Sequence, residues 1–365
     1  MPASSQTSKR FLLQRALLNL LRGEIPSDDF PEAEVDACLK RYECGGYLQR
    51  LWSGAGRTAD LPSGWAAGMA RAHRKTVVDN LGALAQFRTL APHLLEERVE
   101  FILLKGASYL VDLYDDPGAR MLTDIDLLIR RRDAARLSRR LMAAGYRGGV
   151  GDQFPEDRRF EIWRPGEGKC HFEFHWWLIP PFRARFDQEA IWERSRPVEL
   201  EGVSGRRLAV EDAILYHAAH QADHYFGPSI KWLLDLREML RHWPIDLDAL
   251  AGLGAASRAR ITLHLALRHL EKVFPDDLHA GVLDRLSPGP LRRRLLEGYM
   301  AADPLELVDR ARSRLSFYAL RFLMIDRPTD AVGLTLRVAL RPITGAIGRI
   351  LSGSAPPWEW RDASD

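Results

Sequence analysis

Cysteine is scarce in this chain: three among 365 residues, Cys38, Cys44 and Cys170. None forms a CxxC pair and the number is odd, which excludes a disulfide framework and a zinc ribbon and fits a reducing, cytoplasmic setting. No apolar run reaches the ~18 residues that a membrane span needs, so no transmembrane helix is expected. Charge of one sign is lacking too. The net charge is +3, not the polycation that binding to long nucleic acid would favour. Seven of the 52 basic residues are lysines, so a lysine inside a motif stands out. The early FLLQRALLNLL is broken by Gln14 and Arg15 and carries no small-residue cleavage site. It reads as an amphipathic helix, not a signal peptide.

What is present is ordinary globular material, 46% hydrophobic and 28% charged, in a chain long enough for two or three subdomains. Residues 8–100 carry apolar residues at helical spacing, interrupted by Pro and Gly clusters near 25–31 and 54–64. The period changes at Val99. VEFILL reads as a buried strand, ASYLVDLY as a short helix, DDPGAR as a turn and MLTDIDLLI as a second strand. RRDAARLSRRLMAAGY is a helix stopping at Gly145, and RRFEIWRP and KCHFEFHWWLI are further strands. Residues 99–180 thus predict a β-α-β-α-β-β unit. From about 186 the helical period returns, over 209–226, 229–243, 246–274, 290–300 and 305–325. The segment 331–351 is interrupted by Gly333, Pro342 and Gly345. The expected organisation is a helical region at 1–97, a mixed α/β core at 98–185, a second helical region at 186–352 and a loosely ordered tail at 353–365.

Asp124 and Asp126 sit in the second strand. Strand alternation sends both to one face and Ile125 and Leu127 to the other. Two carboxylates that close repel unless a cation lies between them. Magnesium, which takes one or two protein carboxylates plus substrate phosphates, resolves the conflict. A solvated strand end also explains the pair. DxD recurs at Asp246 and Asp248, where it reads as a helix N-cap with a first-turn acid.

Three features stand beside the pair. Lys105 and Gly106 end the first strand and open a helix, an arrangement suited to phosphate, with surface lysine and turn glycine as the alternative. HFEFHW puts His171, Glu173 and His175 on one strand face, so Glu173 offers a third carboxylate. An edge strand with a polar face, or a zinc or iron site on these three residues, are the other readings. Arg120 precedes the Asp strand, where it would brace a triphosphate or lie solvated.

Farther on, His217, His220 and His224 share a helical face. They face a substrate cleft, lie in the core or an interface, or bind zinc. Neither HExxH nor an HD-type order is present. Lys231 and Trp232 follow as candidates for contact with a base or acceptor, with a core role for Trp232 as the alternative. The arginines of 310–349 read as a solvated face, or as a basic surface for an acidic partner or membrane.

With LLKG, RMLTDIDLLI and HFEFHW in this order, the sequence resembles the nucleotidyltransferase superfamily that includes DNA polymerase beta. It is more similar to the bacterial uncharacterised nucleotidyltransferase family, in which KG replaces the Gly-Ser of better-known members. AILYHAAHQADHYFGPSIKWLLDLREML extends the resemblance, which spans about residues 95–245. It implies an α+β fold, a small mixed-sheet core flanked by helices, and Mg2+-dependent transfer of a nucleoside monophosphate from an NTP such as ATP. Lys105 and Gly106 would cradle the β- and γ-phosphates, with Ser108 as the hydroxyl within reach because Ala107 stands where serine is usual. Asp124, Asp126 and Glu173 would hold two Mg2+ ions and carry catalysis. Arg120, His175, His220 and Lys231 would line the nucleotide site. The DDPGARML loop is an insertion beside that pocket. A small molecule, sugar or peptide is the acceptor expected, since relatives are often met beside biosynthetic gene clusters. A catalytically silent nucleotide- or peptide-binding module on the same fold is the alternative.

Overall fold

The computed structural model describes residues 3–148, 160–164, 170–179, 184–300, 305 and 314–332, apart from positions 29, 225, 227–228, 279–280 and 328. Most of the segment expected at 331–351, and the whole tail from 353, lie outside the described residues.

Among the described residues, a seven-stranded mixed sheet organises the fold. Its strands are β1 (Phe101–Leu103), β2 (Asp124–Ile129), β3 (Arg147–Gly148), β4 (Phe160–Arg164), β5 (His171–His175), β6 (Arg196–Leu200) and β7 (Val203–Arg207), in the spatial order β3-β4-β5-β2-β1-β7-β6. The β-α-β-α-β-β unit is therefore present, with the short β3 added. The β6–β7 hairpin is new: no element was expected between 186 and 208. It joins the sheet by pairing β7 parallel to β1. Its two-residue turn has positive φ at both Glu201 (53°) and Gly202 (77°). That is the backbone a tight hairpin turn favours, and the glycine makes it cheap.

Strand alternation divides the apolar residues between two cores. Ile125, Leu127, Phe172 and Phe174 face one side and are almost fully buried. They pack with Phe87, Leu90 and Leu94 of the Ser63–Glu96 helix and with Leu137 and Leu141 of the Arg131–Ala143 helix. Burying each such side chain contributes about 1.5–3 kcal/mol. Ile102, Leu104 and Leu128 face the other side, into a larger core shared with the N-terminal helices and the helices from Val210 onward. The polar side chains of β2 and β5 lie on this second face. The sheet is thus sandwiched, and its acidic face is roofed by helices.

Those roofing helices follow the expected period with one division. Val210–Asp223, Lys231–His242, Pro290–Tyr299 and Arg314–Leu323 are helical. The stretch 246–274 splits into Leu247–Ala256 and Arg260–Val273. Asp246 caps the first of these by accepting from the backbone N–H groups of Asp248 and Ala249, each at 3.0 Å. The second DxD is therefore a cap, as read from the sequence.

Candidate active site

The acidic cluster arises from register. β2 and β5 run parallel with Asp124 opposite His171, Asp126 opposite Glu173 and Leu128 opposite His175. Asp126 and Glu173 are therefore direct cross-strand neighbours on the helix-roofed face. One ligand atom each from Asp126, Glu173 and His175 lie within 4.8 Å of one another. Asp124, expected in the metal set, shares the face but is not part of this tight group. It stands two residues along the strand, about 6.5–7 Å away along the backbone.

Asp126 is 2% exposed and Lys105 Nζ lies 3.0 Å from its Oδ1. His175 Nε2 donates to the same oxygen at 2.8 Å and lies 3.5 Å from Glu173 Oε2. Burial would push the Asp126 carboxyl up, but Lys105 and the His175 hydrogen bond outweigh it and hold it well below the carboxylate range. Burial likewise opposes charge on His175, yet its hydrogen bonds to Asp126 and Glu173 raise its pKa. Lys105 is raised too, because Asp126, Tyr216, Asp124 and Glu173 overcome its burial. Asp124 moves the other way: burial, then Asp126, push it up. A carboxylate held strongly ionised thus stands beside one whose ionisation is opposed.

Lys105 begins the Lys105–Asp112 helix and has a φ of 41°, a left-handed conformation uncommon for a residue with a side chain. The turn directs its ammonium onto the sheet face. At Gly106, expected in a phosphate cradle, the structure shows one steric demand for glycine. A Cβ there would lie 2.1 Å from Arg120 Nη1, so the close approach that glycine permits is that of an arginine. Ser108 is buried on the same helix.

Arg120 does precede β2, but its guanidinium turns into the core. It donates to both Asp235 oxygens at 3.0–3.2 Å and lies 5.7 Å from the Tyr109 ring centroid. Tyr114 Oη donates to Asp235 at 2.9 Å. Asn80 fastens the insertion from outside, donating to the carbonyls of Pro117 and Arg120 and accepting from the Leu122 N–H. The DDPGARML loop is clamped between helices. Lys231, expected at the nucleotide, is also buried and pairs with Glu43 at 3.1 Å. Burial, then Arg120, lower its pKa against the pull of Glu43.

The histidine face divides. His217 is buried, its Nε2 donating to the Trp232 carbonyl at 2.7 Å and its Nδ1 accepting from Tyr109 Oη at 3.1 Å. Both ring nitrogens serve the fold, and burial lowers its pKa. His220 is half-buried and close enough to feel Lys105 and His175; burial first, then Lys105, lower its pKa strongly. Tyr216, which the sequence did not single out, lies within hydrogen-bonding reach of Lys105. Its one legible signal was its place on the histidine helix. Cys170, just before β5, is pushed up to about 12 by burial and then by Asp124, so it is no nucleophile near neutrality.

Residues 31–275 match the family model described as uncharacterised nucleotidyltransferase. The chain belongs to this family. The match covers the whole sheet and most of the roofing helices, so every candidate site residue of this nucleotidyltransferase family member lies inside it. No curated protein matches the chain. Among solved structures, it is similar to an antigenic nucleotidyltransferase-like protein from Paracoccidioides brasiliensis. The two are 18% identical, with 56% of this chain and 93% of the other covered, at a TM-score of 0.35.

Family membership implies a divalent metal and an NTP, and the donors present fit a divalent ion. Asp126 and Glu173 offer oxygen and His175 offers nitrogen, all from rigid paired strands. Oxygen alone would suit magnesium; an added imidazole also suits first-row transition ions. Among the described residues, no helix is long and apolar enough to cross a membrane.

Proposed function

We propose that the chain transfers a nucleoside monophosphate from an NTP, ATP among the candidates, to an acceptor hydroxyl or phosphate. The observation that carries this is the cross-strand pair Asp126 and Glu173 with Lys105 Nζ 3.0 Å from Asp126. Anionic donors and a phosphate-seeking cation thereby meet at one helix N-terminus. A divalent ion on Asp126, Glu173 and His175, with a second beside Asp124, would supply positive charge for the attacking hydroxyl and the leaving pyrophosphate.

The chain's own residues prepare this chemistry. Lys105 binds phosphate oxygens as a point charge, and Tyr216 orients it from the roofing helix. His175 donates its Nε2–H to the Asp126 carboxylate, which keeps Oδ1 ordered and partly balances its charge. Glu173 is one-fifth exposed, the more open of the two cross-strand carboxylates, and accepts the acceptor's proton. The helices above cover most of the face, so alignment and charge neutralisation carry most of the rate. A small molecule, sugar or peptide suits the acceptor better than long nucleic acid, given the net charge of +3.

α-Phosphate-labelled NTPs, incubated with the protein, Mg2+ or Mn2+ and a cell extract, test this. Label passes to an acceptor with release of pyrophosphate. Absence of both with every NTP overturns the reading.

A second reading, a catalytically silent nucleotide- or peptide-binding module, is favoured by one observation: Lys105 and His175 both already satisfy Asp126 Oδ1. It predicts metal-independent nucleotide binding without turnover.

A further inference from the structure

Beyond the acidic cluster, three rings meet on the roof. His220, His224 and Trp232 have centroids 4.7–4.9 Å apart pairwise. His220 and Trp232 are half-buried and His224 is exposed, so the group grades from the interior to solvent. Tyr216 continues it inward, its ring 6.4 Å from His220 and its hydroxyl at Lys105. One residue therefore separates the ring cluster from the phosphate-seeking lysine.

Trp232 is held in place through its backbone. Its carbonyl accepts from His217 Nε2 at 2.7 Å and from Gln221 Nε2 at 3.0 Å, both from the Val210–Asp223 helix. His217 is itself fixed by Tyr109. Two polar side chains that are almost wholly buried are spent on orienting a residue whose indole is only half-buried. A half-buried ring beside a charged cluster suits a flat apolar partner that carries charge at one end.

We propose that Trp232, with His220 and His224, forms the stacking surface for the nucleobase of the bound nucleotide, and that purines are preferred. This rests on the nucleotidyltransferase reading. His224, at the rim, is exposed, so selection follows stacking area, and purines present the larger face. His220 stays uncharged near neutrality because burial disfavours its protonated form, which suits an imidazole that stacks.

The test is calorimetry of ATP, GTP, CTP, UTP and inorganic tripolyphosphate, with Mg2+, on the wild-type protein, Trp232→Leu and Trp232→Phe. The backbone contacts of Trp232 persist in both variants, and circular dichroism checks the fold. Purine nucleotides bind the wild type several-fold more tightly than pyrimidine nucleotides. Trp232→Leu weakens ATP and GTP about tenfold and leaves tripolyphosphate within twofold, while Trp232→Phe retains most purine affinity. Unchanged purine affinity in Trp232→Leu overturns the inference, as does an equal loss for tripolyphosphate. If the wild type binds tripolyphosphate but no nucleotide, the stacking surface is refuted and the phosphate site stands. If it binds neither, both readings fail.

Discussion

Lys105 Nζ and Asp126 Oδ1 are 3.0 Å apart on a face where both are nearly inaccessible to solvent. Asp126 therefore carries its own counter-ion, and any second cation must share it. Lys105→Met removes that competitor. In the absence of nucleotide the variant binds Mn2+ more tightly than the wild type, by about tenfold on charge removal at this distance, and it binds tripolyphosphate more weakly. Electron paramagnetic resonance of free Mn2+ reads the first effect and calorimetry the second. Unaltered Mn2+ affinity shows that the lysine and the metal do not compete.

Asp126→Asn and Glu173→Gln each remove one anionic donor from the cross-strand pair while keeping its shape. Each weakens Mg2+ and Mn2+ binding by more than about tenfold and leaves the circular dichroism spectrum unchanged. His175→Asn behaves differently. It weakens Mn2+ and Zn2+ but changes Mg2+ little, because imidazole contributes chiefly to the softer ions. Equal losses for all three metals in His175→Asn would place the histidine outside the ligand set.

Arg120 and Asp235 form a buried ion pair with further hydrogen bonds on both partners. Asp235→Ala strands the guanidinium and costs about 3–5 kcal/mol. Arg120→Met with Asp235→Leu, which removes both charges, recovers much of that. Urea denaturation measures both. A single-variant loss below about 1 kcal/mol would mean that water reaches the pair.

His264, in the Arg260–Val273 helix, has its pKa pushed down to about 4 by burial first and Arg268 next. A lowered folded-state pKa means that the unfolded chain takes the proton first. Its contribution to stability is therefore complete above the unfolded value of about 6.5 and is lost as pH falls toward 4. Denaturation midpoints decline over that window, and His264→Leu flattens the decline. An identical pH profile in the variant assigns the decline to other groups.

Parts of this molecule were legible because they depend on local periodicity. The two-residue spacing of Asp124 and Asp126 put both on one face, and the alternation of HFEFHW put Phe172 and Phe174 in the core opposite Glu173. Both hold in the structure. The β6–β7 hairpin was missed because its strands are five residues each and include Pro197 and Gly205, so alternation is weak; Glu201-Gly202 was its only clear signal. Arg120 could not be placed from sequence. Its partner is 115 residues away, and an arginine before a strand is equally suited to phosphate or to a buried carboxylate.

The sequence alone determined which side chains share a face, since that follows from backbone geometry within one element. It also carried the family, whose model matches residues 31–275 and spans the KG, DxD and HFEFHW motifs. Only the tertiary structure decided which faces meet. The parallel register of β2 with β5 set Asp126 beside Glu173 and left Asp124 two residues away. The fold also turned Arg120 and Lys231 inward, because a buried charge must find its opposite wherever the chain supplies one.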